Sequence, residues 1–507
     1  MLLDPRRHPA AVASGFPLYT AAACAELDRQ VIAAGTPGFE LMQRAARSAW
    51  QVLQQRWPQA SGVSVFCGGG NNGGDGLLVA LYAAQAGWSV RLWLAVEPEN
   101  YKGEAAEAWA AVKAYGLAPC SDDPATSDFD ASEVLVDALL GIGLQGDAHG
   151  RVADWIQVIN QAPGPVLALD VPSGLRVGQG QHGNAVVQAD LTLTFIALKP
   201  GLFTGQGPDA CGQVLLADLG IQPSRWPVSP CARLQPLPDQ PLLPPRRAGN
   251  HKGSHGRVLI VGGLSGMGGA ALLAARAALR TGAGMVKVLT LAEHVSAFLA
   301  AQPEIMVQAL LPAPEQQLQQ AMDWADVLLI GPGLGQDALA QQLWQCCRNF
   351  NGPQLVDADA LNLWAAGSVP DNLQLPRVIT PHPGEAARLL GCQLDQIQAD
   401  RLLSVQQLAS ATGAVTVLKG AGSLVASPES AAEVQLCPFG NPGMGVAGMG
   451  DLLSGCIAAL LAQGCQPTDA AALGVLIHAL AGDDAAAEQP RGLLPSDLLP
   501  FIRRRGN

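Results

Sequence analysis

The sequence predicts a two-domain α/β protein, each half built on a mostly parallel sheet covered by helices. Three observations carry that expectation. The chain has 507 residues, more than one hydrophobic core serves. Short apolar runs alternate with longer segments of helical periodicity in both halves. Between the halves, residues 223–247 (PSRWPVSPCARLQPLPDQPLLPPRR) are rich in proline, which fixes φ and donates no backbone hydrogen bond. Neither helix nor central strand is expected there, so the chain divides into 1–222, a connection over 223–247, and 248–507.

In the first half the expected strands are VSVFC (63–67), SVRLWLA (89–95), EVLVDALL (133–140), PVLALDV (165–171) and LTLTFI (191–196). In the second they are RVLIVGG (257–263), MVKVLTL (285–291), DVLLIGP (326–332), PQLVDAD (353–359), RVITP (377–381) and AVTVLKG (414–420). Alanine-rich stretches such as GAALLAARAALRTG (269–282) have helical period. Ligands of such sheets bind beyond the carboxyl ends of strands, and the unusual residues cluster there.

Composition narrows the function. The net charge is −12, and no basic face is present beyond the short IRRRG run (502–506), so no nucleic-acid partner is expected. No apolar run has the length of a membrane span, and residues 1–15 lack the apolar core of a secretory signal. Eleven cysteines lie scattered without a C-x-x-C pair, which fits reduced thiols in a cytoplasm.

The stretch FCGGGNNGGDGLL (66–78) holds Gly68, Gly70 and Gly73 in G-x-G-x-x-G spacing after a strand, ahead of the expected helix LLVALYAAQAG (77–87). Helix-start amides there suit a phosphate, and Glu97 keeps a dinucleotide-cofactor reading open by its spacing. But Asn71, Asn72 and Asp75 lie inside the loop, where a backbone cradle alone needs no such side chains; an ordinary Asn-Gly turn is the plain alternative. Further strand ends carry Asp137 with Gly141, Gly143 and Gly146, then Asp170 in LALDVPSG, then Lys199 in FIALKPG. Asn72, Asp137 and Ser173 are hard oxygen donors suited to an alkali or alkaline-earth ion.

In their order, GGGNNGGDG, VDALLGIGLQG, LDVPSG and KPG resemble the N-terminal domain of the NAD(P)H-hydrate epimerases, as does LDRQVIAAGTPGFELMQRA upstream. The resemblance covers residues 20–220 and implies a Rossmann-like three-layer α/β domain. It implies that Asn71, Asn72, Gly73, Gly74 and Asp75, and Gly141, Ile142, Gly143, Leu144, Gln145, Gly146 and Asp147, contact the hydrated dinucleotide together with Asp170. It also implies a potassium ion on Asn72, Asp137 and Ser173, and proton transfer by Asp170 with Lys199 beside it. The dinucleotide is then the substrate, in a damaged form.

In the second half, GNPGMGVAGMGDLLSG (440–455) leads from glycine-rich backbone into an apolar helix at Gly450–Asp451. Free amides at a helix start can hold charge on a transferred phosphoryl group, and an Asp there can take a hydroxyl proton. VLKGAG (417–422), LIGPGLG (329–335) and ITPHPGE (379–385) supply further strand ends, with Lys419, His382 and Glu385. Asp357 and Asp359 in VDADAL could simply cap the following helix, and Gly450–Asp451 could be an ordinary helix cap.

The order GPGLG, DADAL, TPHPGE, KGAG, GMGD is similar to the ribokinase-like superfamily. TPHPGE with GMGD resembles its ADP-dependent NAD(P)H-hydrate dehydratases, over 245–505. That implies hydrate contacts at Ala270, Gly335, His382 and Asp451, with Asp451 as catalytic base. Nucleotide contacts are implied at Lys419, Gly420, Ala421, Gly422, Ser423 and Gly450, with Mg²⁺ accompanying ADP. Val446 and Ala447 depart from the glycine- and threonine-rich form of that loop.

Two other readings stand beside this one. A small-alcohol or vitamin kinase could be fused to a dinucleotide-binding module, or the first half could be a non-catalytic scaffold, as its fold is in mRNA-decapping proteins. The residues themselves do not separate ADP from ATP or NADHX from NADPHX, and they leave open a homo-oligomer.

Overall fold

The computed structural model describes residues 2–6, 15–143, 146–239, 241–367, 375–430 and 433–506. The chain forms two compact units, Met1–Leu237 and Pro238–Asn507.

In the first unit the parallel strands are β1 (Gly62–Cys67), β2 (Ser89–Leu94), β3 (Glu133–Ala138), β4 (Val166–Leu169), β5 (Leu191–Phe195) and β6 (Gln213–Ala217). They hydrogen-bond in the order β6-β5-β4-β3-β1-β2, with Leu2–Leu3 antiparallel against β6. β1 and β3 are buried along their whole length, as strands covered on both faces must be. Side chains alternate between layers: Val63, Val65 and Cys67 face one core, and Phe66 faces another with Trp93, Phe129 and Trp155. The first core is covered by α1 (Ala21–Ala33), α2 (Gly38–Arg56), α3 (Asn71–Gln85) and α4 (Gly103–Tyr115), the second by α5 (Gly150–Gln161). The strand order reverses between β1 and β3, and a ligand crevice belongs at the carboxyl ends of those two strands.

In the second unit, β7 (Arg257–Val261), β8 (Met285–Thr290), β9 (Met306–Ala309), β10 (Val327–Ile330), β11 (Gln354–Val356), β12 (Arg377–Ile379), β13 (Val415–Leu418), β14 (Ser423–Ala426) and β15 (Val434–Cys437) run in the order β9-β8-β7-β10-β11-β12-β13-β14-β15. All pairs are parallel up to β13; β14 and β15 are antiparallel. The helices that matter for function are α6 (Gly268–Thr281), α7 (Asp359–Ala365), α8 (Pro383–Leu390), α9 (Arg401–Thr412), α10 (Met449–Ala462) and α11 (Pro467–Ala485).

Two expectations need correction. Ala232–Leu234, inside the proline-rich stretch, is a strand, paired antiparallel with Phe16–Leu18. Its own three residues contain no proline and keep their backbone donors. And α3 starts at Asn71, so NNGGD is its first turn rather than a loop. Two glycines lower intrinsic helix propensity, but contact demands them. A Cβ on Gly73 would stand 1.9 Å from the Gly68 carbonyl oxygen, and one on Gly74 would stand 2.6 Å from Met42 Cε.

Candidate active sites

In the first unit a cleft of about 620 Å³ opens where β1, β3, β4 and β5 end. Gly69 to Asn72 and Asp75 form one wall with the start of α3, Leu139 to Gly143 another, and Asp170, Ile196 and Lys199 the floor. α1 adds Cys24 and Asp28, and α2 adds Met42.

Asp170 ends β4 at φ 61°, with the Val171 amide donating to the Leu169 carbonyl at 2.7 Å. A non-glycine residue there costs about 1–3 kcal/mol, and such strain persists where the surroundings over-determine it. Asp170, Ile196 and Leu219, three of the four described non-glycine residues at positive φ, all line this cleft. The Asp170 carboxylate is ion-paired with the Lys199 ammonium and accepts from Thr194 Oγ1 and the Phe195 amide, each at 3.2 Å. Lys199 also donates to Thr194 Oγ1 at 2.8 Å and to the Phe195 carbonyl at 3.2 Å. Burial disfavours this ammonium, but the surrounding acids, Asp170 first, outweigh it and hold its pKa above the ordinary lysine value. Burial raises the Asp75 carboxyl well above the carboxylate range, with Asp170 and Asp28 adding to the rise.

Beneath this floor lies a second polar group. Ser173 donates to Asp137 from its amide at 2.7 Å and from its hydroxyl at 2.5 Å. The Leu140 amide donates to Ser173 Oγ at 2.8 Å, and Asn72 Nδ2 donates to the Leu140 carbonyl at 3.0 Å. Asn72 Oδ1 is buried with no hydrogen-bond partner. Asp137 is fully buried, and burial pushes its pKa up to about 6 against the opposing hydrogen bonds from Ser173 and Leu139. An orphaned amide oxygen, a buried carboxylate without a counter-charge and a hydroxyl, all hard oxygens, fit an alkali cation.

In the second unit the charged groups converge from three strand ends and a helix start. Asp357, after β11, accepts from Lys419 Nζ at 2.9 Å and from Ser454 Oγ of α10 at 2.6 Å. Lys419, after β13, lies 3.8 Å from Glu385 Oε2. Burial works against both charges of the Asp357–Lys419 pair; their mutual attraction keeps the acid's pKa below, and the amine's above, its usual value. α10 begins after Gly448, which sits at φ 97°, a left-handed conformation that lets the chain turn into the helix. The next residues are Met449, Gly450 and Asp451. A Cβ on Gly450 would lie 3.3 Å from Lys419 Nζ, so this helix start closes directly onto the ion pair. Asp451 carries a pKa pushed up to about 7, by burial first and then by Asp357, with Lys419 opposing. Glu385 is likewise pushed up to about 7 by burial. His382 caps α8: its Nδ1 accepts from the Gly384 amide at 3.0 Å, while Glu385 Oε2 accepts from the His382 amide at 2.7 Å. Burial and Lys419 lower the His382 pKa, so its ring is neutral at pH 7.

Two family models match, described as YjeF-related protein N-terminus over residues 38–201 and NAD(P)H-hydrate dehydratase over 258–504. The bifunctional NAD(P)H-hydrate repair enzyme Nnr of Coxiella burnetii is 43% identical over 481 residues, 94% of this chain and 97% of that protein. The chain belongs to this repair-enzyme family. The Escherichia coli member is 43% identical over 473 residues, 92% of this chain and 89% of its own. Among solved structures, the ADP/ATP-dependent NAD(P)H-hydrate dehydratase of Bacillus subtilis, co-crystallised with ATP/Mg²⁺, is similar at 30% identity, with a TM-score of 0.47. It covers 52% of this chain and 95% of that one.

Within the repair enzyme's first unit, Asn71, Asn72, Asp75, Gly141, Ile142, Gly143, Asp170 and Lys199 are brought to one cleft. Gly73 and Gly74 lie in the closely packed first turn of α3, and Asp147 pairs with Arg176 at 2.8 Å. Gly146 is exposed, and Leu144 and Gln145 lie outside the described residues. Glu97, which kept a cofactor reading open, is exposed and does not line the cleft.

In the second unit, Gly335 donates its amide to Asp359 Oδ2 at 2.8 Å, and Ala270 starts α6 beside Gly333. The capping alternative for Asp357 and Asp359 fails: α7 follows Ala358 with no side-chain cap, and both carboxylates bond elsewhere. Lys419 pairs with Asp357 and lies near Glu385 within the acid cluster. Sequence reading missed Arg401 of α9, which is buried and donates to the Lys419 carbonyl at 3.3 Å and to those of Leu418 and Gly422 at 3.5 Å, fixing the KGAG turn. No motif marks it; a lone arginine in a helical stretch carries no local signal. Asp28 falls in the LDRQVIAAGTPGFELMQRA stretch, but nothing local marked it as a site residue.

Proposed function

We propose that this enzyme repairs hydrated NADH and NADPH in two steps, one in each unit. The first unit interconverts the R and S epimers of the hydrate; the second dehydrates the S epimer at the expense of ADP. The observation that carries the reading is the pairing, in one chain, of a strained Asp170–Lys199 floor with an Asp451 helix start closing on Lys419 and Asp357.

The hydrate carries a hydroxyl on ring carbon C6, beside the ring nitrogen, and hydroxide leaves poorly. Asp451, with its pKa near neutrality, takes the hydroxyl proton as the oxygen attacks the β-phosphoryl of ADP. The unbonded amides at the start of α10 hold charge developing on the phosphoryl oxygens. AMP departs. Phosphate then leaves C6 as the ring nitrogen lone pair forms C6=N, and loss of a C5 proton completes NAD(P)H. His382, Ala270 and Gly335 are assigned to the hydrate, and the turn Lys419 to Ser423 with Gly450 to the nucleotide. Mg²⁺ with ADP would neutralise phosphate charge. In the first unit Asn72, Asp137 and Ser173 would hold potassium, which would compensate the buried carboxylate and stiffen the floor. Eleven cysteines, none in a disulfide, support a cytoplasmic setting.

Fragments test the division of labour. One ending at Leu237 keeps the Ala232–Leu234 strand paired with Phe16–Leu18 and should speed epimer exchange without nucleotide. One starting at Pro238 should consume a single epimer with ADP, then slow to spontaneous exchange; adding the first fragment should restore complete conversion. Equal consumption of both epimers by the second fragment alone overturns the scheme.

The cation is tested separately. Replacing potassium by tetramethylammonium should slow epimerisation about tenfold or more, since an orphaned buried polar group costs about 1–3 kcal/mol. An unchanged rate refutes the site.

A further inference from the structure

Asp28, in the LDRQVIAAGTPGFELMQRA stretch, is one of four acids that line the cleft, with Asp75, Glu104 and Asp170. It comes from α1, a different wall from the strand ends that carry Asp170 and Lys199. Its side chain is half-buried, yet among the described residues it has no hydrogen-bond or ion-pair partner. It lines the cleft, where a bound ligand can supply the missing partner. Its electrostatic neighbours are Lys199, Asp170 and Asp75, with Cys24 one turn earlier on its own helix.

Inverting C6 needs two proton-exchange groups, because the hydroxyl departs from one face of the ring and is replaced on the other. We infer that Asp28 is the second of these, the partner of Asp170. This rests on the epimerase reading of the first unit. The Asp28 carboxylic acid protonates the C6 hydroxyl; the C6–O bond breaks as the nitrogen lone pair forms C6=N, and water leaves. A second water adds to the opposite face of C6, its electron pair forming the new C–O bond while the C6=N pair returns to nitrogen. Asp170 accepts the proton that this water releases. One proton is given, one is taken, and no electron donor or acceptor is involved; starting from the other epimer, the two carboxyls exchange roles. Burial, partly opposed by Lys199, pushes the Asp28 pKa up to about 6, which leaves a protonated fraction available near neutrality. Asp170 faces Lys199 across the floor of the same cleft.

The experiment follows R-to-S exchange by the full chain in H₂¹⁸O, for the native enzyme and for Asp28→Asn and Asp28→Glu. The native enzyme should place one ¹⁸O at C6 per inversion. Asp28→Asn should lower kcat for exchange about a hundredfold or more with KM little changed, and Asp28→Glu should recover part of that loss. ADP-dependent dehydration of the S epimer should stay at the native rate in both variants. Removing a partnerless carboxyl should not lower the unfolding midpoint; a clear drop would make Asp28 structural and overturn the proposal. Native-like exchange by Asp28→Asn, a loss confined to KM, or inversion with the C6 oxygen retained would each overturn it too. If the native enzyme does not exchange the epimers at all, the epimerase reading falls instead.

Discussion

Asp451→Asn should abolish ADP-dependent dehydration, by at least about a hundredfold, while epimer exchange continues at the native rate. The amide is nearly isosteric and leaves the start of α10 in place, so the loss isolates proton abstraction from packing. The pH profile of the native enzyme gives an independent check. Burial, Asp357 and Asp359 push the Asp451 pKa up to about 7 although Lys419 opposes them. A base works only when deprotonated, so kcat/KM for dehydration should fall about tenfold per pH unit below that value and level off above it. Glu385, also pushed up to about 7, sits beside Lys419 and can steepen the acid limb, so Glu385→Gln separates the two contributions. Dehydration by Asp451→Asn at a rate comparable to the native enzyme would remove it from the role of base.

Lys199→Met should stop epimer exchange and destabilise the first unit by about 3–5 kcal/mol, the usual cost of removing one partner of a buried ion pair. Lys199 is 2% exposed and Asp170 14%, so bulk solvent screens the pair little. The methionine fills most of the lysine volume, which assigns the loss to charge rather than to a cavity. Lys199 has a raised pKa in the folded enzyme. Its stabilising contribution is therefore complete below the ordinary lysine pKa and is lost as pH rises through the folded value. Native and variant unfolding curves should stay apart through neutral pH and converge only under strongly alkaline conditions. Equal urea midpoints at pH 7 would show that the pair contributes nothing, and retained exchange would take the ammonium out of the chemistry.

What the sequence by itself determined was the set of residues standing at strand ends. Apolar runs such as 63–67 and 327–330 announce buried parallel strands, because such strands are covered on both faces and need no alternation. Asp137 near the end of its strand, and Asp170, Asp357 and Lys419 just after theirs, follow from position in the chain alone. Strands with a weaker local signal were not legible: β9, with exposed Met306, and β14 and β15, which follow the last parallel strand. Nor was β6, whose partner β5 lies beyond a short helix. The Ala232–Leu234 strand was hidden by neighbouring prolines that its own ladder does not include.

Only the tertiary structure decided who meets whom. Asp357 could be a helix cap by every local rule, and the approach of Lys419 and Ser454 from distant segments makes it the centre of a charge cluster. NNGGD looks like a loop because glycine disfavours helix, and α3 forms there because its backbone must lie against Gly68 and Met42. Arg401 sits in a helix without any motif, and Asp28 in a family stretch that does not signal its place in the cleft. Their roles come from burial and from partners far along the chain, and both are set when the helices dock: desolvation gives each group its pKa, and the geometry of the neighbouring strand ends determines what it can reach.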